Sequence, residues 1–578
     1  KYAMSQYRNI SPQEIAAVEA LGTSAESWSD VMVCDDFVPT QLVQSRLEGA
    51  IWIDSGARIV RSTVRNYRIG AGSLIEGVTA LECRQESSFG NGVEVATINE
   101  NGGRSVRICD TLTAQVAYLQ ALYGHRPEAV AAIKRMVGEE AAKRNDTIGT
   151  IGTDVRITGA RLIREVRIGD RVTIDGASLL ENGTICAGAH IGCDVQAHDF
   201  IVAEDAHIDG GALLERCFVG ECCHIGKHFS AVDSLFFANC HCENGEAVSI
   251  FAGPYTVSHH KASLLIAGMF SFFNAGSAAN QSNHLFKSGP VHQAIHLRGC
   301  KFGSGTYIMA PAAEGAFTLV LGRHSKHHDT TMFPYSYLVE QEGRSALMPG
   351  ANLISYGTVR DIEKWPARDR RTIKRDRINF EEENPYLTGA MIDAVNTLNE
   401  LAEANPQADS YVHNQAVIKA VQMRRGLKLY NKAIVASLGA MLARTDQGTA
   451  EGRGRWSDLA GQYAPRSIVR KILDGVESGA IDSLEAIDRE FTCVAEQYDR
   501  YARGWAEALL AELLGHTPSP EEIAEAIAAG ERTRAELRKS AEDDKTRDFS
   551  EQMSIGYGIE ADTPEERQKD YHIVRGIQ

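Results

Sequence analysis

The 578-residue sequence has no window approaching 18 uninterrupted apolar residues, so a membrane-spanning helix is not expected. It also lacks an N-terminal stretch with a basic start, an apolar run and a small-residue cleavage site. Positive charge is in deficit, with 60 Lys and Arg against 76 Asp and Glu and a formal net charge of -16. That balance argues against nucleic acid and acidic membranes as partners and leaves small anionic substrates open. The 12 cysteines do not form the dense framework of a disulfide-stapled domain, and Cys222 and Cys223 are neighbours that rarely bridge each other. They read as reduced thiols of a cytoplasmic protein. Glycine-rich nucleotide signatures are absent too, since Gly70, Gly72, Gly268, Gly303 and Gly305 do not open a strand-to-helix phosphate loop.

What is present is a large globular composition, 43% apolar and 24% charged, carrying a repeat. Three aliphatic columns step by 17 residues. The first holds Ile151, Ile168, Ile185, Val202 and Val219; the second, Ile157, Ile174, Ile191, Ile208 and Ile225; the third, Ile163, Leu180, Ala197, Leu214 and Ala231. Within one turn the columns lie 6, 6 and 5 residues apart, the pattern of a triangular coil with three inward positions. Small or turn-forming residues follow the aliphatic ones, among them Gly152, Gly169, Gly220, Asp175, Gly192 and Asp209, and are expected at the corners. Ordinary hairpins would instead alternate with period two. The repeat resembles the hexapeptide repeat of bacterial acyltransferases, which implies a left-handed parallel β-helix of 17-18-residue coils.

A looser version of the pattern, Leu47, Val64, Leu81 and Ile98, also steps by 17. Between the two stretches, Thr111 to Arg144 has helical spacing. The expected organisation is an N-terminal cap over residues 1–40, first coils over 41–106, a helical insertion over 107–147 and the main β-helix over 148–358. An irregular segment, 236–340, ends the coils; a mixed-charge linker, 359–384, leads to an α-helical C-terminal domain, 385–578. The fold class is therefore mainly β with α. The basic run from Arg368 to Arg377, interleaved with Asp369 and Asp376, reads as a solvated, salt-bridged linker.

The irregular segment holds the densest polar constellation: His259, His260, Lys261, Asn274, Asn280, Gln281, Asn283, His284, Lys287, His292, Gln293, His296, Arg298, Arg323 and His324. Apolar neighbours set these groups against buried surface, where unpaired amides and imidazoles are costly. The resemblance to hexapeptide acyltransferases implies one imidazole as general base, deprotonating an acceptor hydroxyl or amine as it attacks a thioester. His284, His292 and His260 are the candidate bases. Asn280, Gln281 and Asn283 are expected to orient substrate, and Lys287 or Arg298 to hold a phosphate or carboxylate. The donor is expected to be an acyl-CoA or acyl carrier protein thioester, and the acceptor small or nucleotide-linked. The same resemblance implies a homotrimer, because a triangular prism offers faces that pack threefold.

Two other readings stand beside this one. A non-catalytic trimeric scaffold or binding protein needs no site at all. A zinc site like that of the gamma-class carbonic anhydrases would use His284, His292 and His296, although the His292 to His296 spacing is one residue short of that family's pair. His190, His207, His224 and His241, again 17 apart, should stack as a ladder. They precede the inward column by one residue, so they should point outward, and no metal is assigned to them. Finally, residues 252–293, 315–340 and 349–371 are similar to a family of large bacterial hexapeptide-repeat proteins that has only a domain of unknown function to its name. That likeness implies kinship in fold with acyl- and sugar-nucleotide transferases and supplies no reaction.

Overall fold

In the computed structural model, which describes residues 7–282, 289, 291 and 293–576, the aliphatic columns become ladders of parallel strands. Ile151 pairs with Ile168, then Ile185, Val202, Val219 and Phe236 follow rung by rung. Ile157 to Ile225 make the second ladder. Ile163 to Ala231 make the third. Every member is at most 2% exposed. The result is a β-solenoid of about 18 turns.

The corners are built differently from the sequence expectation. Left-handed backbone recurs along the coils at Asp154, Arg171, Gly188, Asp205, Cys222 and Asn239, and again at Glu165, Asn182, Asp199, Arg216 and Asp233. A left-handed conformation costs an ordinary L-residue about 1–2 kcal/mol, and Asn and Asp relieve it through local hydrogen bonds. Gly152 and Gly169 do not adopt it. Their small size serves the approach of adjacent coils: a Cβ on Gly152 would lie 2.6 Å from the Asp170 amide nitrogen, and one on Gly169 2.8 Å from that of Ala187.

The first coils join the main stack without a gap. Leu47, Val64 and Leu81 pair in series, and Leu81 then pairs with Ile163 while Ile69 pairs with Ile151. The chain leaves the solenoid after Glu82 and returns at Gly149. Ile98 belongs to this excursion and not to the ladder, because the strand Leu162–Ile168 already occupies the rung next to Leu81. Its amide bonds Ser249 O at 2.7 Å instead. At the N-terminal end, helix α1 (Pro12–Ala20) starts on a Ser11/Glu14 capping box. Strand Val31–Cys34 pairs with the Arg46–Ile53 strand and closes the first coil.

One outward column changes character along the stack. Thr184 is followed on successive rungs by Ile201, Phe218, Leu235, Phe251 and Met269. A bare apolar stripe of that length would be a docking liability. Here it is covered by the excursion's helices α2 (Ala114–Leu122) and α3 (Pro127–Ala142) and by the C-terminal unit, with which it forms a second core.

That unit contains α4 (Tyr356–Ala367), α5 (Pro385–Ala404), α6 (Ala420–Ala443), α7 (Arg466–Ser478), α8 (Leu484–Glu496), α9 (Tyr498–Leu514), α10 (Pro520–Lys545) and α11 (Pro564–Arg575). Helices α6 and α10 cross at a glycine contact, where a Cβ on Gly439 would lie 2.7 Å from Gly530 Cα. None of the described helices is long and apolar enough to cross a membrane.

The mixed-charge run is salt-bridged, with Arg368, Arg370 and Lys374 exposed, but Arg371 and Asp376 are buried, so part of it is a packed strap. Asp376 is 5% exposed and accepts the Ala114 amide at 2.7 Å and the Ala238 amide at 3.1 Å, joining α2 to a coil. Glu221 accepts the amides of Lys374 and Arg375 at 2.9 and 2.8 Å, while Arg375 pairs with Glu204. Alternating signs let the buried charges find partners, so these residues can leave water.

The ladder predicts its own sensitivity. Ile191→Ala, on an inward rung, should lower stability by about 2–5 kcal/mol. Leu213→Ala, on an outward position that is 45% exposed, should stay within about 0.5 kcal/mol. Urea unfolding of the two variants checks the difference.

Candidate functional site

Beyond Phe236 the inward ladders continue, but their chemistry changes. The first runs through Ala252 and Phe270, then His296, Glu314 and Thr330. The third runs through Ala247 and Leu265, then Gln281, Ile308 and His324. Gln281, His296, Glu314 and His324 are all at most 1% exposed. The lumen of the solenoid therefore ends in a buried polar cluster.

Glu314 is its centre. One carboxylate oxygen meets His296 Nδ1, and the other lies 2.6 Å from His328 Nε2. Gln281 closes on the other nitrogen of His296, whose ring lies on Phe270 and against the edge of Phe302. Burial would raise the Glu314 carboxyl; the His296 and His328 imidazoles outweigh that and hold it well below the usual range. His324 bonds Ser345 Oγ at 2.8 Å and the Leu321 carbonyl at 3.2 Å. Burial first, and then neighbouring His328, push it down to about 4, so it stays neutral in the core. Each imidazole here has protein partners, and the cluster holds the last coils together.

A cleft of about 730 Å³ opens where the coils meet the C-terminal unit. Its apolar and aromatic walls include Tyr118 of α2, Met269, Ile295, Tyr386 of α5, Trp456 and Trp505 of α9. Burial raises the Tyr118 and Tyr386 phenols, which therefore remain protonated donors near neutral pH. Arg298 ties the walls together. It pairs with Asp458 at 2.6 Å, donates to the Asn379 and Gly461 carbonyls at 2.7 Å, and lies between the Phe272 and Tyr463 rings. With those bonds made, it is a brace between a coil and the antiparallel hairpin of strands Trp456–Leu459 and Gln462–Pro465.

Other arginines at the cleft are less committed. Arg104 donates to Gln293 Oε1 at 2.9 Å and to the Ala121 carbonyl at 2.9 Å. Arg466 donates to Ser457 Oγ at 3.2 Å and has no carboxylate partner among the described residues. It also lines an adjoining chamber of about 480 Å³ with Arg470, which likewise has none. Both stand on the first turns of α7, which has no acidic residue there. Cations at a helix N-terminus oppose the macrodipole, so this placement adds positive potential where backbone N–H groups already supply it.

The constellation expected from the sequence is thus divided among several places. Gln281, His296 and His324 are in the lumen; Gln293 is at the cleft; Arg298 is the brace. His259 and Asn274 line a separate groove of about 650 Å³ beside α4, with His260 and Lys261 exposed at the adjacent turn. Asn280 pairs with Tyr307 on a coil, and Arg323 lies exposed over the Tyr307 ring. Asn283, His284, Lys287 and His292 lie outside the described residues. Sequence reasoning missed Glu314, although it falls 18 residues after His296, one coil on. It also missed Arg104, Arg466 and Arg470, which no local motif brings together.

The chain matches the family model described as domain of unknown function (DUF4954) over residues 55–402. A second model, domain of unknown function (DUF6819), matches residues 439–578. The chain is also 25% identical over 597 residues to an "Uncharacterized protein" of Treponema pallidum (strain Nichols), a likeness spanning 88% of this chain and 82% of that one. The two matched regions meet at the cleft: Arg104 and Tyr386 come from the first, Arg466 and Trp505 from the second.

The lumen cluster sets a pH dependence. His324 titrates at about 4 when folded and from 6.5 by itself, so the unfolded chain takes up the proton first as pH falls. Stability should therefore drop by up to about 3 kcal/mol between about pH 6.5 and 4 from this group. His324→Gln should flatten the loss across that window, measured by urea unfolding at several pH values.

Proposed function

This chain belongs to the family of the domain of unknown function DUF4954, and from its cleft we propose an enzyme that binds a small anionic, nucleotide-linked substrate. The carrying observation is the pair Arg466 and Arg470 at the start of α7, cations without carboxylate partners among the described residues, in a chain whose net charge is -16. An anion there gains charge-assisted hydrogen bonds and relieves the repulsion between the arginines and the helix N-terminus. Aromatic walls suit the planar end of such a ligand, and Met269, Ile295 and Leu297 suit an apolar end. A phosphate-bearing acyl thioester joins all three characters in one molecule.

The reaction proposed is acyl transfer. An acceptor hydroxyl or amine attacks the thioester carbonyl, the acceptor's proton passes to a base, and the thiolate leaves with the carrier. His296 is unsuited to the base role, because Glu314 and Gln281 occupy its two nitrogens in the lumen. His292, the sequence neighbour of the cleft residue Gln293, is the imidazole proposed instead. The substrate lies between two parts of one chain, so this reading does not depend on a trimer interface.

Calorimetric titration of the full chain with acetyl-CoA tests the binding step. The double variant Arg466→Ala/Arg470→Ala should weaken binding by about 10-fold or more, as the loss of one or two charge-assisted hydrogen bonds implies. His292→Gln should keep the affinity and abolish thiol release in the presence of an amine and alcohol panel. Equal affinity in the wild type and the double variant would sink the assignment of the cleft.

A further inference from the structure

The histidine ladder stacks as its spacing implies, with ring centroids 4.3 Å apart for His190 and His207, 4.9 Å for His207 and His224, and 4.8 Å for His224 and His241. Its rungs are paired neighbours on parallel strands. Repeat inheritance explains such a stack without a ligand. On a lower rung Asp209, two residues after His207, meets that ring at 2.7 Å, and at the upper end one carboxylate reaches two rings. There Glu243, two residues after His241, turns its carboxylate back toward the rings.

Glu243 Oε1 lies 3.4 Å from His224 Nε2 and 3.1 Å from His241 Nε2. Donor atoms of the three side chains all lie within 4.8 Å of one another. Two donors at about 2.1 Å from one metal ion stand about 3.0–3.4 Å apart in octahedral or tetrahedral geometry. His241 Nε2 is buried and, despite its closeness to the carboxylate, is not aligned for a hydrogen bond. An ion between these atoms satisfies that nitrogen without moving the backbone. Glu243 Oε2 is taken by Lys227 Nζ at 2.7 Å, which leaves Oε1 for the rings.

From this convergence we infer that His224, His241 and Glu243 form a binding site for a divalent transition metal, with coordination positions left open toward the groove. Two imidazole nitrogens and one carboxylate select zinc-like or iron-like ions over magnesium and calcium, which prefer oxygen donors. Across the groove, Arg368 and Arg370 line the wall with no carboxylate partner among the described residues. The remaining cations there, Lys301 and Lys364, share Asp361. An anionic co-ligand thus finds the metal on one side and guanidinium groups on the other. This groove is separate from the cleft proposed for the substrate, and the inference stands whether or not that cleft binds a thioester.

The test uses the full chain, stripped with a chelator and titrated with Zn²⁺ by calorimetry and with Co²⁺ by visible absorption. One equivalent should bind, with the Co²⁺ spectrum showing nitrogen and oxygen ligation and no thiolate charge-transfer band. Glu243→Gln, nearly isosteric, and His241→Ala should each lower affinity at least about tenfold. His190→Ala, on the same ladder but remote from Glu243, should leave it unchanged. Lys227→Met should tighten binding, since it removes a cation that competes for the carboxylate, and this gain does not depend on how well the ligand variants fold. Absence of stoichiometric uptake, or uptake indifferent to both Glu243→Gln and His241→Ala, would overturn the assignment.

Discussion

Everything in this molecule depends on the register of one parallel stack. Each coil returns an aliphatic side chain to the lumen directly over the one before it, so burial and backbone pairing are satisfied by the same repeat. A slip of one residue would put the inward ladder in solvent and the histidines and arginines in the core. The same constraint explains why the excursion after Glu82 is tolerated: the rungs Ile69 to Ile151 and Leu81 to Ile163 meet as though nothing intervened. Loop length costs little once the two ends are fixed beside each other.

Against that frame, the chain uses its outward columns selectively. The run from Ile201 to Met269 gives the helices a surface to bury, and the strap around Asp376 fastens them to the coils. The cleft and the groove both arise from this second layer. The cleft lies between coils, excursion and C-terminal helices, and the groove lies between the histidine ladder and α4. Neither is a property of the solenoid alone. The regions matched by the two family models both contribute residues to the walls of the cleft.

The polar end of the lumen shows what the register permits when aliphatic residues run out. His296, Glu314, Gln281 and His324 occupy positions that earlier coils fill with Val, Ile, Leu and Ala; the first three survive there because they bond one another, and His324 because it bonds Ser345 and the Leu321 carbonyl. Breaking one partner of such a buried set costs far more than the set contributes as a whole. The sequence showed that these residues were dense and set among apolar neighbours. It did not show that they face inward, because the irregular coil lengths after Ser234 shift each column by a different step.

What the sequence by itself determined is the solenoid: the 17-residue period, the identity of the inward columns, the outward histidine ladder and the helical character of the excursion and C-terminal region. Periodicity is local and self-repeating, so one chain contains many independent copies of the same information. Tertiary structure alone decided where the polar residues go. Glu314 joins His296 across one coil, Glu243 folds back on His224 and His241, and Arg466 reaches the wall carrying Arg104 from several hundred residues away in sequence. Those meetings depend on how the second layer packs on the first, and packing between unlike elements leaves no period to read.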